Sequence, residues 1–96
     1  MKIRVQSIKF NADVKLLDFI DKKLQKLDKF FDGIIDVDVT LSLEPDHTKV
    51  IKVIVNIPGD NVIMERKAGT FEDATNTCAD LLKDQLVKVK EKRFGK

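Results

Sequence analysis

The chain has 96 residues, which suits one folded domain with a modest core and leaves no room for a second domain. Apolar residues make up 43% of the sequence and charged residues 35%, a composition typical of a soluble globular protein and not of a disordered tail. Eighteen Lys and Arg against sixteen Asp and Glu leave a net charge of +2, which is too small by itself to indicate a nucleic-acid partner.

Two further classes of protein are excluded by the pattern of apolar and cysteine residues. No apolar run approaches the roughly 18 to 20 residues that span a bilayer, and the opening segment alternates like a strand, so neither a membrane protein nor a signal peptide is expected. Cys78 is the only cysteine, so neither an intramolecular disulfide nor a cysteine zinc site can form. We therefore expect a cytoplasmic protein whose mature chain begins at or near Met1.

The first third of the chain predicts a strand followed by a helix. Alternation of apolar and polar residues indicates the strand over about residues 2 to 8. Apolar residues then recur at spacings of three and four, as on one face of a helix: Leu16, Leu17, Ile20, Leu24, Leu27 and Phe31. This helix could begin with Asn11 or Asp13 as its N-cap. We expect it to end at Asp32-Gly33, where glycine can adopt the left-handed conformation.

The middle of the chain predicts three more strands. Alternation of apolar and polar residues from Ile35 to Leu43 indicates a strand with one buried face. The segment 44–47 has the composition of a turn, so the β-branched run from Lys49 to Ile57 completes a hairpin. A second turn is predicted at 58–61, before a fourth strand over 62–67.

A second helix is predicted over about residues 70 to 92. Thr70, with Asp73 three residues later, resembles a capping box with the shorter acid. An apolar stripe continues at helical spacing, comprising Phe71, Ala74, Cys78, Leu81, Leu82, Leu86 and Val89. The order β-α-β-β-β-α predicts an α+β fold in one domain over 1–96, in which two helices pack on one face of a four-stranded mixed sheet. Such a fold is double-stranded-RNA-binding-domain-like. The first two strands should be parallel neighbours joined by a right-handed helical crossover.

Positive charge is concentrated on the two predicted helices. On a helical wheel of about 100° per residue, the lysines of the first helix group beside its apolar stripe: Lys15, Lys22, Lys23, Lys26 and Lys29. Asp21 and Asp28 lie on the opposite flank. Six positive charges follow residue 80, namely Lys83, Lys88, Lys90, Lys92, Arg93 and Lys96, whereas the segment 32–48 holds five acids and no Lys or Arg. We expect a molecule with separated positive and negative regions.

This charge pattern has two interpretations. A basic surface suits RNA, because each neutralised phosphate releases counterions and adds salt-sensitive affinity without base readout. Folded RNA would be recognised by shape, since side chains cannot read the deep major groove of an A-form helix. The alternative is a solvated face that keeps a small protein soluble, with lysines in the last helical turn also stabilising the helix dipole. Charge pattern alone favours the solvated face.

Residues with catalytic or metal-binding chemistry are few. His47 is the only histidine and falls in a predicted surface turn, while Cys78 lies on an apolar stripe, where a buried structural thiol is expected. Asp36 and Asp38 share one strand face and could hold a divalent ion, although solvation of the outer face is the nearer explanation. Phe30 is either a rim residue of the core, which is favoured, or an exposed aromatic that could stack on RNA. The four glycines are isolated, so we expect no phosphate loop. With these residues taken together, we expect no enzyme, metal, cofactor or small-molecule substrate.

Several segments together resemble a known family. The segments are the end of the first helix at 26–32 (KLDKFFD), the second strand at 37–44 (VDVTLSLE) and the tail at 84–92 (DQLVKVKEK). The order of the predicted elements adds to the resemblance. In order and spacing they resemble the ribosome hibernation promoting factor family, which includes the ribosome-associated inhibitor or sigma-54 modulation protein, over almost the whole chain. The resemblance implies binding to the small ribosomal subunit, in the channel used by mRNA and tRNA. Ribosomes would thereby be held inactive in stationary phase or stress, with translation inhibited.

The resemblance also implies a set of RNA contacts on the helices. Family members present basic residues to rRNA where this chain has Lys22, Lys23, Lys26, Lys29, Lys88, Lys90 and Lys92, to which the charge pattern adds Lys83 and Arg93. Asp84 and Val87 stand where comparable members often carry Arg, and 70–74 matches the usual start of that helix loosely.

Three expectations about partners and assembly stay open. The chain resembles the short form of the family, without the C-terminal domain that pairs ribosomes in long forms, so whether ribosome dimers form is undecided. The oligomeric state of the free protein is also open, with a monomer favoured. An alternative function is a protein–protein adaptor that uses the sheet face or an edge strand.

Overall fold

A computed structural model describes residues 1–93; the charge of Lys96 lies outside these residues. The chain forms β1 (Lys2–Ser7), α1 (Val14–Gln25) followed directly by a 3₁₀ turn (Lys26–Lys29), β2 (Asp36–Leu43), β3 (Lys49–Ile57), β4 (Asp60–Ala68) and α2 (Phe71–Arg93). The predicted order β-α-β-β-β-α and the α+β fold class are confirmed.

The four strands form one mixed sheet in the order β1-β2-β3-β4. β1 and β2 are parallel, with Ile3 opposite Val37 and Val5 opposite Val39. α1 is therefore the crossover between them, because a parallel pair requires the chain to return to the starting edge. β2 and β3 form one antiparallel pair, and β3 and β4 form the other.

One face of the sheet is apolar and carries both helices. Successive side chains of a strand point to opposite faces, so the alternation in β2 and β3 places one set of residues inward, each at most 2% exposed: Val37, Val39, Leu41, Ile51, Val53 and Val55. Ile20 and Leu24 of α1 and Leu82 and Leu86 of α2 pack into the same core cluster. The predicted apolar stripes are thus the surfaces that the helices bury, except at Leu17 and Leu81, which are only partly buried and lie outside the core cluster.

The start of α1 matches one of the two predicted caps. The carboxylate of Asp13 accepts a hydrogen bond from the backbone N–H of Leu16 at 2.8 Å, and Asn11 lies outside the helix. At α2, the hydroxyl of Thr70 accepts a hydrogen bond from the backbone N–H of Asp73 at 3.1 Å. Each cap satisfies one of the N–H groups that a helix leaves without an internal partner.

The end of the first helix differs from the prediction. α1 tightens into the 3₁₀ turn at Lys26 and helical structure ends at Lys29, not at Asp32-Gly33. The reason is tertiary: leaving the helix early lets both Phe31 and Ile34 enter the core, where they are 3% and 8% exposed. Gly33 has a φ of +90°, so the left-handed conformation predicted for it occurs in the connection to β2 instead of at the helix cap.

Strand and turn boundaries also shift by one or two residues. β1 ends at Ser7, and β2 begins at Asp36, although the backbone N–H of Ile35 already donates to the carbonyl of Asn56 at 2.8 Å. The turn between β3 and β4 consists of Pro58 and Gly59 alone, with Asp60 already paired to Ile57 in the sheet. Gly59 has a φ of +78°, a conformation that glycine adopts without a side-chain penalty.

The open face of the sheet, away from the helices, holds a polar cluster across three strands. Arg4 of β1 donates from Nη2 to Asp36 Oδ2 at 3.0 Å and from Nε to Asp38 Oδ1 at 2.6 Å. Asn56 of β3 donates from Nδ2 to Asp36 Oδ1 at 2.6 Å and to Asp38 Oδ2 at 3.3 Å. The two carboxylates that could have held a divalent ion are therefore bonded to partners within the sheet.

These contacts change the acidity of both carboxyl groups. Hydrogen bonds from Asn56 and then Arg4 lower the pKa of Asp36, and the hydrogen bond from Arg4 is the main cause of the lowered pKa of Asp38. The hydrogen bonds that Arg4 donates to Asp38 and to Asp36 raise the pKa of Arg4 in turn. The ionised forms are favoured because hydrogen bonds and an opposite charge stabilise the carboxylates.

We expect this polar cluster to lose its stabilising effect in acid. The unfolded-state pKa of an aspartate is about 3.9 and the folded-state pKa values are lower, so the contribution is complete above that pH. It is lost as the pH falls through the folded-state values. Arg4→Met should therefore lower the free energy of unfolding at pH 7 and have a smaller effect at pH 3, as measured by denaturant unfolding. Lys9→Met, the same charge change outside the cluster, is the control; an Arg4→Met effect that is equal at both pH values would contradict the assignment.

We expect the fold to depend on the face of α1 that is buried against the sheet. Leu24 is fully buried, so Leu24→Ala should lower the free energy of unfolding by roughly 2–5 kcal/mol through lost burial and a residual cavity. Val14 on the same helix is 79% exposed, and Val14→Ala should change stability by no more than about 0.5 kcal/mol. Urea unfolding of both variants measures the difference, and similar losses would show that α1 is packed differently.

Candidate nucleic-acid interface

The two helices lie side by side and run in the same direction. Phe10, just before α1, stacks on Phe71 at the start of α2, with ring centroids 5.3 Å apart and ring planes at 14°. At the other end, the guanidinium carbon of Arg93 lies 6.0 Å from the ring centroid of Phe31. Both helix C-termini therefore lie at one end of the sheet, where their partial negative charges favour nearby cations.

A hollow between the helices brings together lysines that are distant in the sequence. This interhelical hollow has a volume of about 230 Å³ and is lined by Lys23, Lys26, Leu27, Phe30, Ala79, Asp80 and Lys83. The Nζ atom of Lys83 lies 5.2 Å from the ring centroid of Phe30, within the range of a cation–π contact. Three of the predicted RNA contacts, Lys23, Lys26 and Lys83, thus surround one partly buried aromatic ring.

A second hollow continues the same surface along α1. This α1 hollow has a volume of about 400 Å³ and is lined by Lys15, Asp18, Phe19, Lys22, Lys23 and Lys26. The Nζ atom of Lys23 lies 5.6 Å from the ring centroid of Phe19. Lys23 and Lys26 line both hollows, so the two form one continuous surface. We call it the lysine surface, defined by Lys15, Lys22, Lys23, Lys26 and Lys83.

Most of the predicted contact cations have no carboxylate partner. Lys22 pairs with Asp18 at 3.0 Å in an exposed pair four residues apart, a contact worth about 0.3–0.5 kcal/mol. Across residues 1–93, no ion pair involves Lys23, Lys26, Lys29, Lys83, Lys88, Lys90, Lys92 or Arg93. Apart from Lys22, the cations of the lysine surface are therefore available to a ligand.

Not all of the predicted contacts belong to this surface. Lys29 lies in the 3₁₀ turn and lines neither hollow, because a 3₁₀ turn advances about 120° per residue and departs from the wheel used for α1. On α2, at about 100° per residue, Lys90 falls within about 20° of Lys83, whereas Lys88 and Lys92 are about 140° and 180° away. The cations of α2 are thus divided between two flanks of the helix.

The acidic segment is partly neutralised within the protein. Asp36 and Asp38 bond to Arg4, and Glu44 accepts a hydrogen bond from Lys67 at 2.6 Å, which raises the pKa of Lys67. The turn between β2 and β3 lies at the end of the sheet where α1 begins, because β2 runs parallel to β1. The acids of β2 lie on the face of the sheet opposite the helices, and because several are bonded within the protein, the segment carries less free charge than its composition indicates.

The residues considered for other chemistry are placed as the sequence predicts. Cys78 is fully buried, and its desolvation raises the pKa of the thiol to about 12, which disfavours the reactive thiolate. His47 is exposed in the turn between β2 and β3 and has a φ of +69°. Over residues 1–93 neither helix is long and apolar enough to cross a membrane.

Sequence reasoning missed Phe19 as a part of this surface. The side chain is only partly buried and lies off the stripe of Leu16, Ile20 and Leu24 that α1 buries. The signal was present: a large aromatic residue outside the apolar stripe, with a lysine four residues later where it can reach the ring. Asp80 was also missed, because only the packing of α2 against α1 brings it to the interhelical hollow.

Comparison with known proteins supports the fold and the family. The crystal structure of the Thermus thermophilus Protein Y N-terminal domain superimposes with a TM-score of 0.84 at 26% identity, covering 93% of this chain and 99% of that one. A ribosomal subunit interface protein from Coxiella burnetii also gives a TM-score of 0.84, covering 94% of this chain and 98% of that one. At 18% identity, this second likeness concerns the fold alone.

Two curated relatives match over nearly their whole length. The ribosome hibernation promoting factor of Azotobacter vinelandii is 27% identical over 94 residues, which are 98% of this chain and 87% of that protein. The protein of the same name from Pseudomonas putida is 29% identical over 93 residues, or 97% of this chain and 90% of that protein. The family model described as sigma 54 modulation protein / S30EA ribosomal protein matches residues 3–93. The resemblance read from the sequence is confirmed, and the chain belongs to the sigma 54 modulation protein / S30EA ribosomal protein family.

Proposed function

We propose that this chain is a ribosome hibernation factor. It binds the rRNA of the small subunit in the channel used by mRNA and tRNA and thereby inhibits translation in stationary phase or stress. Relatives matching over most of their length carry the name ribosome hibernation promoting factor. The observation that carries the RNA-binding part is the convergence of Lys23, Lys26 and Lys83 around one hollow.

The physical basis of the proposed binding is release of counterions from phosphate. Each lysine that neutralises a phosphate frees condensed cations, which makes affinity fall as salt rises. Lys15, Lys23, Lys26 and Lys83 form no ion pair with a carboxylate in the part of the chain that the structure describes. RNA therefore does not have to displace an internal partner at these positions. Lys90 extends the same flank of α2 beyond Lys83, whereas Lys88, Lys92 and Arg93 would contact a second strand or a different segment of the subunit.

The proposed inhibition requires occupancy and no catalysis. A protein seated in the path of mRNA and tRNA excludes both by overlap, so its effect depends on affinity and concentration alone. The buried Cys78 thiol and the exposed His47 have no part in this proposal. The protein is a binding factor of the cytoplasm, associated with ribosomes.

The alternative function, a protein–protein adaptor, would use the other side of the molecule. The acidic residues of β2 suggested such a surface, but Asp36 and Asp38 are bonded to Arg4 and Asn56. Less free charge is left there for a partner protein. The lysine surface therefore supports the ribosomal proposal better than the open face supports the adaptor.

We expect binding to small subunits to depend on the lysine surface and on salt. Lys23→Glu with Lys26→Glu should abolish co-sedimentation with small subunits, because repulsion replaces attraction in both hollows. For the unmodified protein, association should weaken steeply between 50 and 200 mM salt, by roughly 10²-fold or more if four to five phosphates are neutralised. Lys9→Glu with Lys52→Glu makes the same charge change outside this surface and should bind nearly as well. Equal loss in both double variants, or binding that is insensitive to salt, would contradict the proposal.

We expect competition with mRNA and tRNA for the same position. Small subunits already carrying mRNA and initiator tRNA should retain much less of this protein in sucrose gradients than vacant subunits. Adding the protein first should reduce synthesis in a reconstituted translation reaction. The Lys23→Glu, Lys26→Glu double variant serves as the inactive control. Equal retention on vacant and programmed subunits would place the binding site outside the channel.

A further inference from the structure

We propose that Phe19 and Phe30 are stacking platforms for unpaired nucleotides, so that the lysine surface binds single-stranded RNA segments in preference to A-form duplex. This inference rests on the proposed function and specifies which part of an rRNA the surface accepts. It goes beyond charge, because a surface that bound phosphates alone would need no aromatic rings. Bases in a duplex are already stacked on one another and cannot reach a side chain on a protein surface.

The first observation is the position of Phe30. The ring is partly buried and lines the interhelical hollow together with Lys23, Lys26 and Lys83. It lies outside the buried core that Leu27 and Phe31 join on either side. Lys83 Nζ lies over the ring at 5.2 Å from its centroid. Because a lysine chain is flexible, a base can take its place on the ring while the ammonium moves to the phosphate of the same nucleotide.

The second observation is that Phe19 repeats this arrangement in the α1 hollow. Its ring is also partly buried and off the core stripe, and Lys23 Nζ lies 5.6 Å from its centroid. The two rings share Lys23 and Lys26 as neighbours. Aromatic rings placed at intervals along a positively charged groove are typical of proteins that bind single-stranded nucleic acid, since every base has a face that can stack.

The third observation is that each hollow contains one acid. Asp80 lines the interhelical hollow and Asp18 lines the α1 hollow. A carboxylate repels phosphate but accepts hydrogen bonds from the amino group of a base. Cations, a ring and an acid in one hollow therefore match the three parts of a nucleotide that a protein can contact: its phosphate, the face of its base and the edge of its base.

The absence of tryptophan and tyrosine from the chain permits a direct test of stacking. In Phe30→Trp the single indole reports on that ring alone. An unstructured oligoribonucleotide should quench its fluorescence, whereas polyphosphate and a duplex of the same length should leave it nearly unchanged at matched occupancy. Ile63→Trp is the matched control, because Ile63 is 54% exposed on the open face of the sheet, and its fluorescence should not respond. Equal quenching by duplex, or none by the single strand, would overturn the inference.

Loss of the rings gives an independent readout. Phe19→Leu and Phe30→Leu keep the charge and an apolar side chain, and each should weaken binding to the oligoribonucleotide by about fivefold or more. Binding to an abasic strand of equal length should not change. Phe30→Tyr keeps a stacking ring and should bind like the unmodified protein. Thermal unfolding of every variant identifies any that fails to fold. If a leucine variant does not fold, the indole measurement on Phe30→Trp decides whether the ring stacks on a base. Equal loss on the abasic strand by a folded leucine variant would overturn the inference.

Failure of this inference can be told apart from failure of the proposed function. If the unmodified protein does not co-sediment with small subunits, the proposed function is wrong, and the oligoribonucleotide experiments still test stacking on their own. If it co-sediments, but the leucine variants bind single strands as the unmodified protein does and the indole is not quenched, the function stands. The stacking inference is then wrong, and the lysine surface binds phosphates alone.

Discussion

The arrangement of this protein depends on two helices being buried side by side against a single apolar sheet face. The face exists because successive side chains of a strand point to opposite sides, so that Val37, Val39, Val53 and Val55 all point to one side. α1 and α2 each have one stripe that must leave water, and the sheet is the surface that accepts both. Their parallel course follows, because β1 and β4 deliver the chain to the same end of the sheet before each helix begins.

That parallel course turns a nearly neutral chain into one with a localised positive surface. The net charge is +2, too small to attract RNA through the field of the whole molecule. The contact between the helices places Lys23 and Lys26 beside Lys83, which is far away in the sequence. Since screening limits exposed charges to a range of about 8–10 Å in cellular salt, only this local grouping matters to a ligand. The proposed RNA binding depends on this packing and not on the total charge.

The two faces of the sheet have different electrostatic character, and this difference gives the molecule an orientation. On the open face, cations meet acids: Arg4 bonds Asp36 and Asp38, Lys67 bonds Glu44, and Lys52 lies opposite Glu65. On the helical side, most lysines within residues 1–93 have no acid partner, and two of them, Lys23 and Lys83, lie over aromatic rings instead. A polyanion therefore meets mostly unpaired cations on the helical side, whereas on the open face Arg4 and Lys67 are already bonded to acids.

The sequence by itself determined the elements, their order and the faces they bury. Alternation and helical spacing are local properties. They were therefore enough to predict the strands from Lys2 to Ala68, most core positions of α1 and α2, the turn at His47 and the burial of Cys78. The family was predictable as well, from the order and spacing of short segments. The basic residues could be named as candidates, but not assigned to one surface. The divergence of Lys88 and Lys92 from Lys83 follows from helical spacing alone. Only the tertiary structure decided that Lys23, Lys26 and Lys83 meet and that Asp36 and Asp38 bond to Arg4. The tertiary structure also decided that the first helix ends early in a 3₁₀ turn, because this end occurs where Phe31 and Ile34 reach the core. These features depend on contacts between residues far apart in the chain, which periodicity cannot encode.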